Sequence, residues 1–278
     1  MLLDVLDEQL LHSVRAALAE DIGTGDITAA LIPADLQAQA TVISREQAIV
    51  CGMAWCNAVF AELDSHIETD WRVRDGDAVA AGQTLCTLSG PARALLSGER
   101  TALNYLQTLS ATATLARRYA DTVADLPTRI LDTRKTIPGL RSAQKYAVRI
   151  GGCTNHRHGL YDAYLIKENH IATAGSIKAA VTRARSNNPT AMLEVEVENA
   201  TQLQEALDAG ADRLLLDNHS ISALKTAVST VAGRVELEAS GNVTLDNVRD
   251  IALTGVDYIS TGSLTKDIKA IDLSMIFD

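Results

Sequence analysis

Apolar positions recur along the first hundred residues in two rhythms. Leu3, Leu6, Leu10, Leu11, Val14 and Leu18 return at helical spacing, interrupted by Asp4, Asp7 and Glu8. That pattern predicts an amphipathic helix over roughly Asp7–Glu20, not a cleaved signal peptide. Asp21–Thr28 (DIGTGDIT) reads as a loop. Short alternating runs follow at Ala38–Ile43, Trp71–Val73, Val79 and Leu85–Leu88, with turn signals at Asp75-Gly76 and Ala81-Gly82. They predict a small antiparallel sheet with a helix or two against it. From Ala92 to about Leu126 the chain is rich in Ala and Leu with almost no breakers, which predicts a long helical stretch.

From Thr128 the rhythm changes. Short β-rich runs each end in a polar residue and are followed by a helical stretch. They are Arg129–Leu131 ending at Asp132, Ala163–Ile166 ending at Lys167, Met192–Val195 ending at Glu196 and Arg213–Leu216 ending at Asp217. Val235–Leu237 ends near Glu238 to Ser240, and Val256–Ile259 at Ser260 to Ser263. The last four endings lie about 21 to 23 residues apart, the length of one strand, one helix and two loops. Repeats of this kind predict parallel strands with right-handed crossovers, closed into a full or partial barrel, with an open doubly wound sheet as the second choice. The run of leucines at 214–216 suits a strand buried on both faces. Between Glu196 and Asp217 the helix is legible: Asn199 or Thr201 caps it and Gly210 stops it.

Composition narrows the class. The chain has 278 residues, 47% hydrophobic and 22% charged, which is globular and long enough for one large domain or two smaller ones. A net charge of −10 argues against nucleic-acid and anionic-membrane partners. No window is apolar enough to span a bilayer. The four cysteines have neither CxxC nor zinc-ligand spacing and read as buried thiols in a reducing cytoplasm.

Against that acidic background one stretch reverses sign. Arg129, Arg134, Lys135, Arg141, Lys145, Arg149 and Arg157 share the segment 129–157 with a single acid, Asp132. A solvated helix face accounts for Arg141, Lys145 and Arg149. It does not account for Arg134-Lys135 straight after a strand, or for His156-Arg157-His158 in a Gly-flanked loop. Guanidinium groups grip carboxylate or phosphate through a planar fork, so several of them imply a ligand with several anionic groups. In parallel α/β folds ligands bind beyond the carboxyl ends of the strands, which gathers Asp132, Thr133, Arg134, Lys135, Lys167, Glu196 and Asp217 at one mouth. Ser240-Gly241-Asn242 and Thr261-Gly262-Ser263 follow the last two strands, where small residues let backbone N–H groups approach a phosphate. Glu196 and Asp217 beside such a ligand suit Mg²⁺ or sugar hydroxyls, or else ion pairs with Lys167 or Lys135. The alternation in His156-Arg157-His158 points two imidazoles to opposite sides and argues against shared zinc ligation.

These residues carry a resemblance. The run DTRKTIPGLRSAQKYAVRIGGCTNHRHGLYDAYLIKENH (132–170) resembles the core signature of the quinolinate phosphoribosyltransferases. EDIGTGDIT (20–28), GERTALNYLQTLSATAT (98–114), EVEVEN (194–199), LLLDN (214–218), LEASGNV (237–243) and TGVDYISTGSLT (254–265) match in order over nearly the whole chain. Three positions depart from the family pattern: Cys153 and Asn242 where glycine is usual, and Lys266 where histidine is usual.

The resemblance implies an N-terminal α/β sandwich over 1–113, an incomplete parallel α/β barrel over 114–266, and a tail, 267–278, that packs back on the first domain. It implies a homodimer with shared active sites and Mg²⁺ as cofactor. Quinolinate and phosphoribosyl pyrophosphate would react to give nicotinate mononucleotide, pyrophosphate and CO₂ in NAD biosynthesis. Carried over by position, Arg134, His156, Arg157 and Lys167 are quinolinate binders, joined by Arg100 of the partner subunit. Thr133, Lys135, Glu196 and Asp217 serve the phosphoribosyl group, with Lys135, Glu196 and Asp217 catalytic and Glu196 and Asp217 holding the metal. Ser240, Gly241, Asn242, Thr261, Gly262 and Ser263 cradle the phosphate. Three rivals remain in view: a paralogue with another acceptor, a Schiff-base lyase using Lys167, and a non-catalytic phosphate-ligand binder. The number of arginines opposes the second, and Glu196 and Asp217 oppose the third.

Overall fold

A computed structural model describes residues 2–277, with side chains from residue 8 onward. The apolar positions Leu3 and Leu6 lie outside the described side chains. The chain divides into two compact units. One runs to Arg117 and takes in Ile137–Gly152 and the chain from Asp267; the other comprises Arg118–Thr136 and Cys153–Lys266. The boundary read from the sequence, between 113 and 114, falls inside one continuous helix, and 137–152 groups with the first unit.

In the first unit the opening helix, α1 (Leu2–Ile22), extends beyond the expected span at both ends and buries Val14 and Leu18. The strands are β1 (Gln37–Ser44), β2 (Ala48–Ile49), β3 (Glu68–Trp71), β4 (Ala78–Val79) and β5 (Thr84–Pro91), with α2 (Met53–Leu63) between β2 and β3. β1, β5 and β3 form an antiparallel sheet, and the last strand of the chain, Leu273–Phe277, adds to the free side of β1. In β1 the alternate positions Ala40, Val42 and Ser44 are buried, as a one-sided sheet requires. β3 ends at Trp71, where the sequence suggested that a strand begins. The Asp77 carboxylate accepts the Arg74 N–H at 2.8 Å and turns the chain out of the ladder.

The long helix α3 (Ala92–Thr122) and the helix α4 (Arg141–Ile150) follow. One core joins Val14, Val42, Phe60, Leu88, Leu103, Leu106, Ala143 and Ala147. On α4, Arg149 is exposed and Arg141 half-buried, but Lys145 is buried, which corrects its reading as part of a solvated face.

The second unit holds the strands β6 (Arg129–Leu131), β7 (Tyr164–Ile166), β8 (Leu193–Val197), β9 (Arg213–Asp217), β10 (Glu236–Ser240) and β11 (Tyr258–Ser260). They form one parallel sheet in the order β6-β11-β10-β9-β8-β7, with β6 and β7 at the two edges, as an incomplete barrel requires. The helices α5 (Glu168–Ala174), α6 (Ile177–Asn187), α7 (Ala200–Ala209), α8 (Ile221–Val231) and α9 (Val248–Ala252) fall between strands, α10 (Ser263–Lys266) is a single short turn, and the last strand is β12. Asn199 caps α7 by accepting the Thr201 and Gln202 N–H groups, and Gly210 ends it in a left-handed conformation.

Strand alternation sorts the side chains. Leu193, Val195, Leu214, Leu216, Leu237 and Ala239 share one buried apolar face. The opposite face carries Glu194 and Glu196, then Arg213 and Asp217, then Glu236, Glu238 and Ser240. The register pairs Glu194 and Glu236 with Arg213, and Glu196 and Glu238 with Leu215. All four cysteines are free and buried. No helix among the described residues is long and apolar enough to cross a membrane.

Candidate active site

Asp132 follows β6 directly and is fully buried. Its Oδ1 accepts the His156 N–H at 2.8 Å and its Oδ2 accepts Asn155 Nδ2 at 2.6 Å. Backbone bonds from Thr154 N–H to Ile130 O (2.8 Å) and from Asp132 N–H to Thr154 O (3.1 Å) complete the seam. A buried carboxylate needs such donors. Asp132 is therefore a brace that fastens the Asn155-His156-Arg157 loop to β6. Beyond it, Thr133 Oγ1 accepts the Lys135 N–H at 3.0 Å and tightens the turn that carries Arg134 and Lys135.

Arg157 donates from Nη1 to Ala163 O at 3.2 Å. Burial lowers its pKa, and the nearby charge of Arg134 lowers it further. Two guanidinium groups brought near one another suit an anionic ligand. Lys167, just past β7, pairs with Glu196 of β8 at 2.5 Å, with the lysine side chain 46% exposed and the glutamate 16%. The pair thus stands at the solvent edge of the strand ends. Asp217 closes β9, and its Oδ2 accepts Asn218 Nδ2 at 2.7 Å.

Two backbone approaches need glycine. Gly241 has φ +95°, and a Cβ there would lie 2.2 Å from Asn218 Oδ1. Asn242 follows at φ 50° and donates from Nδ2 to Asn218 Oδ1 at 3.0 Å, which links Ser240–Asn242 to the end of β9. A Cβ on Gly262 would come within 2.8 Å of Lys135 Cδ, so the lysine stem lies directly over that glycine. Thr265 Oγ1 donates to Lys135 O at 2.8 Å, Thr261 N–H to Leu131 O at 3.0 Å, and Ser263 N–H to Thr261 Oγ1 at 3.2 Å. Lys135 and Thr261–Ser263 are thereby one assembly.

The structure also brings together a group that sequence reasoning missed. His156 turns its ring into the unit, where Nε2 lies 2.9 Å from Glu194 Oε2 and 3.4 Å from Glu238 Oε2. The histidine side chain is 9% exposed and both glutamates 0%. Arg213 Nη1 stands 3.5 Å from Glu238 Oε2, and Arg213 Nη2 stands 2.9 Å from Glu236. Burial disfavours the charged ring, but hydrogen bonds and charge from Glu194 and Glu238 more than offset this and push the His156 pKa up to about 9. Burial holds the Glu194 carboxyl above the ordinary range. Glu238 is equally buried, yet the hydrogen bond and charge of His156 bring it below that range. His156 Nδ1 accepts the Arg157 N–H at 2.7 Å. The signal was present in EVEV and ELEAS, since period-two alternation puts both glutamates of each run on one face.

A model of the quinolinate phosphoribosyl transferase C-terminal domain matches residues 112–276, and one of the N-terminal domain matches 26–110. The chain belongs to the quinolinate phosphoribosyl transferase family. A probable nicotinate-nucleotide pyrophosphorylase [carboxylating] of Bacillus subtilis (strain 168) is 42% identical over 268 residues, 96% of this chain and 93% of that one. Quinolinate phosphoribosyltransferase [decarboxylating] 1b of Nicotiana tabacum is 40% identical over 95% of this chain and 81% of its own. The solved nicotinate-nucleotide pyrophosphorylase of Francisella tularensis is 48% identical, covers 98% of this chain and 96% of its own, and superposes with a TM-score of 0.94.

Within this family frame the three departures have local explanations or consequences. Asn242 adopts the left-handed backbone that glycine would, which asparagine tolerates better than most residues. Cys153 is buried and Lys266 closes α10. Arg100 lies on α3 in the first unit, largely exposed, with a weak contact to Glu99 at 4.0 Å.

Proposed function

We propose that this chain transfers the phosphoribosyl group of phosphoribosyl pyrophosphate to quinolinate, giving nicotinate mononucleotide, pyrophosphate and CO₂ in NAD biosynthesis. The observation that carries this reading is the mutual approach of Arg134 and Arg157, in a unit whose strand ends also carry Lys135, Lys167, Gly241 and Gly262. Two anion-binding regions of different character lie in one unit: guanidinium forks suited to ring carboxylates and exposed backbone suited to a phosphate. The relatives' names, quinolinate phosphoribosyltransferase [decarboxylating] among them, support the same acceptor.

In the proposed reaction Arg134, Arg157 and Lys167 neutralise the two carboxylates and aim the pyridine nitrogen at the sugar C1′. The nitrogen lone pair forms the N–C1′ bond as the C1′–oxygen bond breaks and pyrophosphate leaves. Glu196 and Asp217 stabilise the cationic sugar carbon and hold its hydroxyls, while the Lys135 ammonium offsets negative charge on the departing pyrophosphate, with Thr133 supporting the Lys135 turn. Ser240–Asn242 and Thr261–Ser263 hold the 5′-phosphate. Much of the acceleration is positioning. The pyridinium then accepts the electron pair of the breaking C2–carboxylate bond, CO₂ departs, and a proton takes its place at C2. Glu196 and Asp217 offer hard carboxylate oxygens on one face of neighbouring strands, a donor set that fits Mg²⁺. The ion, when bound, would offset the charge of the pyrophosphate. Binding it would require Lys167 to exchange Glu196 for a substrate carboxylate.

We place the enzyme in the cytoplasm as a homodimer, with Arg100 of the partner subunit completing each acceptor site. A Schiff-base role for Lys167 is disfavoured by its ion pair with Glu196, because an imine-forming lysine needs a neutral amine. Arg134→Ala and Arg157→Ala test the acceptor assignment. Each is expected to raise the quinolinate KM on the order of 10-fold or more, the scale of a lost charge-assisted hydrogen bond. Wild-type KM and kcat in both variants would show that the carboxylates bind elsewhere.

A further inference from the structure

We infer that Thr265 is a positioning residue for the phosphoribosyl donor, setting Lys135 against the Thr261–Ser263 turn so that one donor can span both. The segment 132–140 forms neither helix nor strand. No backbone ladder therefore fixes Lys135, and its peptide groups need other partners. Two hydroxyls supply them. Thr133 Oγ1 accepts the Lys135 N–H at 3.0 Å, and Thr265 Oγ1 donates to Lys135 O at 2.8 Å. The side chain is held as well, because its stem lies over Gly262, where a Cβ would come within 2.8 Å of Lys135 Cδ. Thr265 itself is wholly buried in α10, the turn that follows β11. A valine would fill the same space with no hydroxyl to satisfy. A threonine in a helical turn ordinarily returns its hydroxyl proton to a carbonyl three or four residues back. Here that carbonyl, Gly262 O, lies 3.4 Å away, so the single proton goes to the shorter contact with Lys135 O. A second tie, from Thr261 N–H to Leu131 O at 3.0 Å, joins the same two stretches of chain closer to their strands. The ends of β6 and β11 are thus laced together twice, and the outer lace holds the residue that bears the ammonium. Phosphoribosyl pyrophosphate carries its 5′-phosphate and its pyrophosphate at opposite ends of one ribose. A site that grips both must hold its two anion-binding groups at a fixed separation. Lys135 serves the pyrophosphate, Thr261–Ser263 serve the 5′-phosphate, and the Thr265 hydroxyl bonds the first to the turn that carries the second.

This inference rests on the donor part of the proposed function. Thr265→Val keeps the shape and deletes the hydroxyl, which takes this donor from Lys135 O, while Thr265→Ser keeps the hydroxyl. In steady-state assays Thr265→Val is expected to raise the phosphoribosyl pyrophosphate KM about tenfold and to lower kcat, with the quinolinate KM within about twofold. Thr265→Ser should recover most of both losses. Lys135→Ala/Thr265→Val should be no worse than Lys135→Ala alone, because Thr265 acts through Lys135. Thr265→Ala carries the same kinetic expectation should the valine variant not fold. Titration of phosphoribosyl pyrophosphate with Mg²⁺ and no acceptor reads donor binding without transfer, and the Kd should rise about tenfold in Thr265→Val. A merely structural threonine would lower the melting temperature, leave donor and acceptor KM in their wild-type ratio and make the double variant additive. That result, a donor KM and Kd unmoved in folded Thr265→Val, or no recovery in Thr265→Ser would overturn the inference. If the wild-type chain binds phosphoribosyl pyrophosphate but forms no product from quinolinate, the proposed acceptor fails, while the titration still decides the role of Thr265. A wild-type chain that does not bind phosphoribosyl pyrophosphate would overturn both.

Discussion

At the scale of single residues, close approach and charge set the constraints. Gly241 illustrates the first. Its φ of +95° and a Cβ position 2.2 Å from Asn218 Oδ1 leave no room for a side chain. Gly175 has a similar φ of +93° but nothing within 4 Å. Gly241→Ala and Gly175→Ala therefore carry the same backbone strain, on the order of 1 kcal/mol or more, and differ in the displaced loop. Gly241→Ala is expected to raise the phosphoribosyl pyrophosphate KM several-fold, whereas Gly175→Ala only lowers the melting temperature; steady-state kinetics and thermal unfolding of both variants make the comparison. Arg134, Lys135, Arg157 and Lys167 were legible in the sequence because their sign opposes that of the chain. Glu194 and Glu238 were not, because a buried acid resembles a surface acid until the face of its strand is known. His156 is legible as a polar residue of a Gly-flanked loop, but the turn of its ring toward Glu194 and Glu238 is not.

At the scale of elements, the polar residues that end the runs mark where β6, β7 and β9 stop, while β8 runs past Glu196 to Val197. Continuous apolar text was taken as the mark of a strand buried on both faces, yet β8 and β10 alternate glutamate with apolar residues. The interior layer is charged, and the period-two alternation of EVEV and ELEAS is its mark in the sequence. α4 was legible as a helix, but its grouping with the first unit depends on the burial of Ala143 and Ala147, a long-range fact that neighbouring residues do not encode. An element-level tie has a pH signature. Arg249 of α9 grips Asp125 with two bonds of 2.8 Å, and this hydrogen bonding lowers the Asp125 pKa to about 2. A carboxylate whose folded pKa lies below its unfolded value of about 3.9 contributes stability above that value and loses it as pH falls toward the folded pKa. In Arg249→Met, Asp125 is expected to titrate near its ordinary value, and the share of acid sensitivity it contributes between about pH 4 and pH 2 should vanish. Carboxyl ¹³C titration of the two proteins measures both.

At the scale of the whole molecule, a net charge of −10 surrounds a locally basic site, so anionic substrates are selected by a built pocket and not by bulk attraction. Arg100 is 60% exposed. If sites are shared in a homodimer, equal mixing of Arg100→Ala and Arg134→Ala chains, assayed at quinolinate well below the raised KM of either, brings activity to about a quarter of wild type, since half of the dimers are mixed and each mixed dimer has one intact site. No recovery on mixing would confine each site to one chain. The central claim is that this chain couples phosphoribosyl transfer to loss of the carboxylate next to the ring nitrogen. The direct measurement is to supply quinolinate labelled in that carboxylate with phosphoribosyl pyrophosphate and Mg²⁺, and to quantify labelled CO₂ and nicotinate mononucleotide together, with nicotinate as the control acceptor. Equal amounts of the two products from quinolinate, and no nucleotide from nicotinate, is the expected result; nucleotide formed from nicotinate at a comparable rate, or no CO₂ from quinolinate, would contradict it.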